Sequence, residues 1–112
     1  LKSNGKTGKY LRSKFKIPPL IAANLEKGGN GIIKEGTMIG SPMAIAATCN
    51  EENAHRWGEA CAAEARAVGA NWAFAPIIDI DYNWRSPITN TRTLGNDPEV
   101  VKNYGKAYVE VL

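Results

Sequence analysis

A helix bracketed at both ends stands between two short apolar runs, and this arrangement limits the architecture more than any other feature of the chain. Residues 50–68 place Ala54, Trp57, Cys61, Ala65 and Val68 at steps of three and four, which is one apolar stripe along an α-helix. Asn50 is positioned to cap its start, Glu51 and Glu52 suit its positive first turn, and Gly69 offers a left-handed stop. Before it, Pro19 to Ala23 is a continuous apolar run; after it, residues 70–80 form a second. Runs of this kind read as strands buried on both faces. Trp72 and Phe74 alternate with alanines, so the second strand should present two faces of different depth. Pro76 has no N–H to donate, so regular pairing should weaken there.

A second helix follows a long polar loop. Asp97 is its cap, Pro98 its first residue and Glu99 a partner for its dipole. Val100, Val101, Tyr104, Ala107, Tyr108 and Val111 supply its core face. Alternating strands and helices of this order predict parallel βα units with right-handed crossovers, an α/β fold with strands near 19–23 and 71–79 adjacent and parallel. Residues 1–16 are basic and read as a loop or a helix end: 1–9 as a loop or frayed end, 10–16 as the last turns of a helix stopped by Ile17-Pro18-Pro19. Residues 32–45 read as irregular, broken by Gly36, Gly40 and Pro42.

Composition excludes several classes. With 112 residues, 44% hydrophobic and 22% charged, the chain matches a single globular unit rather than a disordered tail or a disulfide scaffold. No apolar run reaches the roughly 20 residues of a membrane helix, so no membrane partner is expected. The basic, Gly-rich start lacks the apolar core of a secretory signal. Lys2, Lys6, Lys9, Arg12, Lys14 and Lys16 face no acid within residues 1–17, which leaves the rest of the chain net negative. No aromatic platform interleaves these bases, so they read as a solvated face and no nucleic-acid partner is expected. Cys49 and Cys61 form no CxxC pair and His55 is the only histidine, so neither a metal site nor a cofactor is expected. This cysteine usage fits a reducing compartment, and a bacterial cytoplasm is the favoured setting.

Sites on parallel α/β folds form at the C-terminal ends of strands. The first strand end presents Asn24, Glu26 and the turn Gly28-Gly29-Asn30-Gly31. Without a Walker lysine or a GxGxxG pattern that turn reads as structural. The second end presents Asp79, Asp81, Tyr82 and Asn83, then Asn90-Thr91-Arg92-Thr93. Asp79 and Asp81 share a face but lack a third metal ligand, so hydrogen bonding to a substrate or to Arg92 is the better reading. Carboxylates, amides and an arginine at neighbouring strand ends make a rim suited to hydroxyl-rich ligands.

These residues resemble a family. Pro18-Pro19-Leu20-Ile21-Ala22-Ala23-Asn24-Leu25-Glu26-Lys27-Gly28-Gly29 is similar to the second-strand segment of glycoside hydrolase family 3. Ser41 to Thr48 resembles the stretch before its next helix. The run from Glu64 through Gly69 to Asp79-Ile80 resembles its Glu-x-x-x-x-Gly and Pro-Val-x-Asp pattern. Asn90-Thr91-Arg92-Thr93-Leu94-Gly95-Asn96-Asp97-Pro98 resembles its Arg-(Ser/Thr)-Phe-Gly-x-Asp-Pro signature. The four segments agree in order and cover nearly everything from residue 17 on.

The resemblance implies a retaining exo-β-glycosidase on a (β/α)8 TIM barrel. Residues 1–112 would be a fragment of its N-terminal domain, the first half of a barrel that takes about 250 residues. Asp79-Ile80-Asp81 and Asn90-Thr91-Arg92 lean toward the β-N-acetylhexosaminidase branch over the β-glucosidase branch. The implied substrate-binding residues are Asn24, where many members carry Asp, and Arg92, with Asp79 supporting Arg92. The nucleophile, the acid/base and a substrate-binding Lys-His pair belong to later strands in this family, so no catalytic residue is expected within the chain. The implied partner is a carbohydrate substrate, and the chain alone should self-associate or pair with the rest of the barrel. The competing class is a non-catalytic carbohydrate-binding or scaffold protein built on the same barrel.

Overall fold

The computed structural model describes residues 2–112, and of residues 2–4 the backbone alone. Leu1, the start of the expected N-terminal loop, lies outside the described residues. In chain order the helices are α1 (Lys2–Lys14), α2 (Pro42–Ala46), α3 (Glu51–Val68) and α4 (Pro98–Val109), and the strands are β1 (Ala22–Ala23) and β2 (Trp72–Ala73). Two 3-10 turns, Gly29–Gly31 and Asn90–Arg92, stand in the long loops.

Helix α3 forms where its caps place it. Asn50 Oδ1 accepts the Glu52 N–H at 3.1 Å, and Gly69 ends the helix at φ 93°, a conformation that costs glycine nothing. All five residues of the expected stripe are buried: Ala54, Trp57, Cys61, Ala65 and Val68. Helix α4 opens on Asp97, whose Oδ1 accepts the Glu99 N–H at 2.9 Å, with Pro98 in its first turn. Val101, Tyr104 and Tyr108 are its buried face. The two helices meet closely because Gly58 lets them: a Cβ there would stand 2.5 Å from the Tyr108 carbonyl oxygen. The Trp57 and Tyr108 rings pack with centroids 4.1 Å apart. Burial pushes the Tyr108 hydroxyl pKa up, so it stays protonated and donates to Leu25 O at 3.3 Å, pinning α4 to the end of β1. Cys61 is a core residue, fully buried, its thiol pKa raised by burial.

The strands are parallel neighbours, with Ala22 opposite Trp72 and Ala23 opposite Ala73. They are much shorter than the apolar runs that encode them. Pro18 and Pro19 bring no N–H to a ladder. The Asn71 side chain occupies the next position, its Oδ1 accepting from Ile21 N at 2.7 Å and its Nδ2 donating to Pro19 O at 3.2 Å. Beyond Phe74 N, which donates to Ala23 O at 2.8 Å, the chain meets Pro76 and pairing stops. The sheet has unequal faces. Ala23 is buried and Ala73 and Ala75 are partly buried against the helices, whereas Leu20, Trp72 and Phe74 are 69%, 49% and 52% exposed. The expected contrast of depth is present, but the deep side carries the alanines.

Two expectations need correction. Residues 2–9 are not a loop: α1 is helical from Lys2. Gly5 and Gly8, read as loop residues, serve a close approach instead. Cβ atoms there would come within 3.2 Å of Ala67 O and 3.1 Å of Val68 O, so the helix lies across the C-terminal end of α3. Arg12 Nη2 donates to Gly69 O at 2.5 Å, placing a cation where that helix ends in free carbonyls. Residues 42–45, read as irregular, belong to α2 (Pro42–Ala46): Ser41 Oγ accepts the Ala44 N–H at 3.3 Å and Pro42 takes the first position.

Candidate functional site

The end of β1 builds one wall of a cleft. Leu25 is buried in the core, and its neighbours Asn24, exposed, and Glu26, largely covered, stand on the side of the cleft. Asn24 Oδ1 accepts the Glu26 N–H at 3.3 Å, an Asx turn that leaves the Asn24 amide NH2 without a hydrogen-bond partner among the described residues. The loop that follows is held from below by α3. Glu64 accepts from Thr37 N at 2.9 and 3.2 Å and from Thr37 Oγ1 at 2.5 Å, and it lies so near Gly29 that no side chain fits there. Ile39 N closes the loop on Lys27 O at 2.8 Å.

The opposite wall is Arg92. It ends the Asn90–Arg92 turn, with α2 packed against that turn and Thr93 and Leu94 fully buried behind it. Arg92 Nε donates to Glu26 Oε2 at 2.9 Å and Nη2 donates to Glu26 Oε1 at 2.7 Å, a two-point fork across 66 residues of chain. The Arg92 hydrogen bond holds the Glu26 carboxyl below its ordinary value, against an opposing push from burial, and Glu26 raises the Arg92 value in return. Nη1 donates to Ile88 O at 3.3 Å. Asn24, Glu26, Lys27, Asn30, Gly31 and Arg92 line a cleft of about 300 Å³.

The structure therefore brings Asn24 and Arg92 into one cleft. It does not bring Asp79 there. Asp79 is exposed, no hydrogen bond among the described residues joins it to Arg92, and Glu26 takes the place expected of it. The reason is reach: the chain past Pro76 leaves the sheet, while Glu26 sits at the strand end that faces the arginine. Two contributors escaped the sequence reading, the Glu26 carboxylate as the arginine's partner and Glu64 as the loop's clamp. Both stand in quoted motifs, which mark them without saying what they touch. Asp81 ties the loop through its backbone, N–H to Gly95 O at 3.0 Å, and its Oδ1 is buried with no hydrogen-bond partner among the described residues. Among the described residues no group of three or more His, Cys, Asp or Glu gathers as for a metal, and no helix is long and apolar enough to cross a membrane.

A rim of two amides, a lysine and a carboxylate-clamped arginine on a βα unit is the setting in which the comparisons belong. The family described as Glycosyl hydrolase family 3 N terminal domain matches residues 4–112. The chain belongs to glycoside hydrolase family 3. It is 48% identical over 102 residues to a beta-N-acetylglucosaminidase/beta-glucosidase of Cellulomonas fimi, covering 91% of this chain and 18% of that protein. It is 31% identical over 104 residues to beta-hexosaminidase A of Pseudoalteromonas piscicida, covering 88% of this chain and 17% of that one. Among solved structures, a beta-glucoside phosphorylase, BglX, superposes with a TM-score of 0.92 at 48% identity over 98% of this chain and 20% of its own. A family 3 beta-N-acetylglucosaminidase of Paenibacillus sp. str. FPU-7 superposes at 0.85 with 26% identity, over 96% of this chain and 22% of its own. The chain thus spans about a fifth of the length of these family 3 relatives.

Proposed function

We propose that these residues are the opening βα units of a (β/α)8 barrel in a retaining exo-β-glycosidase that removes terminal β-linked sugars, β-N-acetylhexosaminides before β-glucosides. The observation that carries this reading is the cleft at the end of β1, where Arg92 is clamped beside Asn24 on a family 3 chain. Fixed N–H donors at a strand end suit sugar hydroxyls, and their place at the C-terminal end of a parallel strand is where barrel sites form.

Retaining cleavage requires a carboxylate nucleophile and a separate acid/base about 5–5.5 Å apart. By the family resemblance both come from strands beyond Leu112. Residues 1–112 bind and orient, and alone they do not turn over glycosides. The sheet face carrying Leu20, Trp72 and Phe74 takes the remaining strands of the barrel, and without them it pairs with itself.

A second reading concerns the acceptor. The 48% identical solved structure described as a beta-glucoside phosphorylase supports transfer to phosphate in place of water. Phosphate oxygen would then attack the anomeric carbon of the glycosyl-enzyme, the bond to the nucleophile would break, and a sugar 1-phosphate would leave. One experiment tests both. The full-length protein is assayed on an aryl β-N-acetylglucosaminide and an aryl β-glucoside, with and without phosphate, and the sugar product is identified. Free sugar at a phosphate-independent rate supports hydrolysis, and sugar 1-phosphate with phosphate-dependent turnover supports phosphorolysis. No release from either substrate under both conditions overturns the enzyme reading in favour of a binding or scaffold protein.

A further inference from the structure

The geometry points to Glu26 as the positioning residue of this rim, the one group that holds both Asn24 and Arg92 in their working orientations. The inference rests on the reading of the cleft as a sugar site. Glu26 engages each of them through a different part of itself. Its backbone N–H donates to Asn24 Oδ1 at 3.3 Å, and its carboxylate receives Arg92 Nε and Nη2 at 2.9 and 2.7 Å.

Each contact decides which atoms are left for a ligand. An N–H can be accepted only by the amide oxygen, so the Asn24 oxygen is turned inward and its NH2 outward. On Arg92, Nε, one N–H of Nη2 and one of Nη1 are committed to Glu26 and to Ile88 O. One N–H on Nη1 and one on Nη2 remain, in the plane that the fork defines. The result is a set of uncommitted N–H donors on residues that line one cleft. The Glu26 side chain is 12% exposed and that of Arg92 40%, so the anchor lies deep and the arginine reaches toward the opening. Asn30, which lines the same cleft, has its Oδ1 buried with no hydrogen-bond partner among the described residues. A ligand with adjacent hydroxyls, which both donate and accept, suits a wall of free amide and guanidinium N–H donors.

The clamp also explains why neither residue needs the other's help from Asp79. A bidentate carboxylate removes the rotational freedom of the guanidinium, and the Asx turn removes that of the amide. Rigid donors lose little entropy when a hydroxyl arrives. Glu26 touches no substrate in this scheme; it acts through the two residues it holds.

The test uses the full-length protein carrying Glu26→Gln, Glu26→Asp, Arg92→Ala and the pair Glu26→Gln with Arg92→Ala. Glutamine keeps the shape but presents NH2 to the arginine, so one arm of the fork opens. The expected result is a rise in KM of about tenfold to a hundredfold, the cost of misplacing a positioning group, with a smaller fall in kcat. Glu26→Asp should recover part of that loss. The double variant should be no worse than Arg92→Ala, because the Glu26 carboxylate then has no guanidinium left to orient. KM and kcat of Glu26→Gln both within twofold of the parent would overturn the proposal. So would equal losses in the double and the sum of singles. A crystal structure of Glu26→Gln keeps the two claims apart. Should the parent show no glycosidase or phosphorylase activity, the site reading fails, and the anchor is then judged on position alone: an Arg92 guanidinium displaced from the cleft supports it, and one that stays in place overturns it.

Discussion

The two faces of one small sheet behave as if they belonged to different proteins. On the helix side, Ala23, Leu25 and Ala70 are nearly inaccessible, and α3 and α4 cover them with Trp57, Cys61, Tyr104 and Tyr108. On the other side, Leu20, Trp72 and Phe74 stand about half or more exposed, and the Trp72 and Phe74 rings meet edge to face 5.0 Å apart. The residues invert the usual economy: small ones are buried and large ones are bare. Alanines suit the covered face because helices must come close to the strands. The aromatics on the other face leave a large apolar surface uncovered by the described residues. The difference teaches that α3 and α4 cover one face of the sheet, while the described residues leave the other face bare.

The comparison breaks first at the covered face. Trp57→Ala should cost about 3–5 kcal/mol, the range for emptying a large aromatic site, and should unfold the chain in a thermal or urea melt. An unchanged melt would mean that the α3–α4 contact does not hold the fold. Next in size is Gly58→Ala. A methyl 2.5 Å from the Tyr108 carbonyl forces the helices apart, and overpacking of this kind costs about 1–3 kcal/mol. Tyr108→Phe should lose about 1 kcal/mol, the net worth of one buried hydrogen bond, because Leu25 O gives up a donor while ring packing is kept.

The rim sharpens the contrast through pH. Hydrogen bonding from Arg92 lowers the Glu26 carboxyl below its ordinary 4.5. A depressed acid stabilises the fold above its unfolded value, and that contribution fades as pH falls through the lowered one. The stability difference between the parent and Glu26→Gln should therefore be full at neutral pH and close only below pH 4.5. A difference that vanishes above that pH would show the clamp to be open in solution. The smallest stability effect belongs to the bare face. Trp72→Ser with Phe74→Ser should change the melting of the isolated chain by no more than about 0.5 kcal/mol, as surface substitutions do. Its effect should appear in light scattering instead, where the parent fragment associates and the double variant stays dispersed. A monodisperse parent fragment would remove the case for a missing cover.

Much of this was legible from residues alone, and the reason differs by element. Helix α3 declared itself because its stripe, its Asn50 cap and its Gly69 stop are local signals that agree. The parallel pairing of β1 with β2 followed from alternation, since a strand that returns after one helix must run the same way. Helix α1 was hidden because glycine signals both a loop and a tight contact, and only the α3 terminus beneath Gly5 and Gly8 tells which. Helix α2 was hidden by its length, although Ser41-Pro42 spelled its start. At the site, Asn24 and Arg92 were readable as a strand-end amide and a motif arginine. Which acid served the arginine was not.

That last point divides the two sources of information. Spacing along the chain specifies what repeats locally: the stripes, the caps, the stops, the order of strand and helix, and the motif residues that mark family 3. It carries no record of which of several carboxylates lies within 3 Å of a guanidinium. Asp79, Asp81 and Glu26 were all near a strand end by sequence. The fold chose Glu26, 66 residues from Arg92, because β1 ends facing the Asn90–Arg92 turn while the chain past Pro76 turns away. Hydrogen bonds act over a few ångströms in space, and those distances are set when α2, α3 and the buried Thr93-Leu94 pair lock the two loops together.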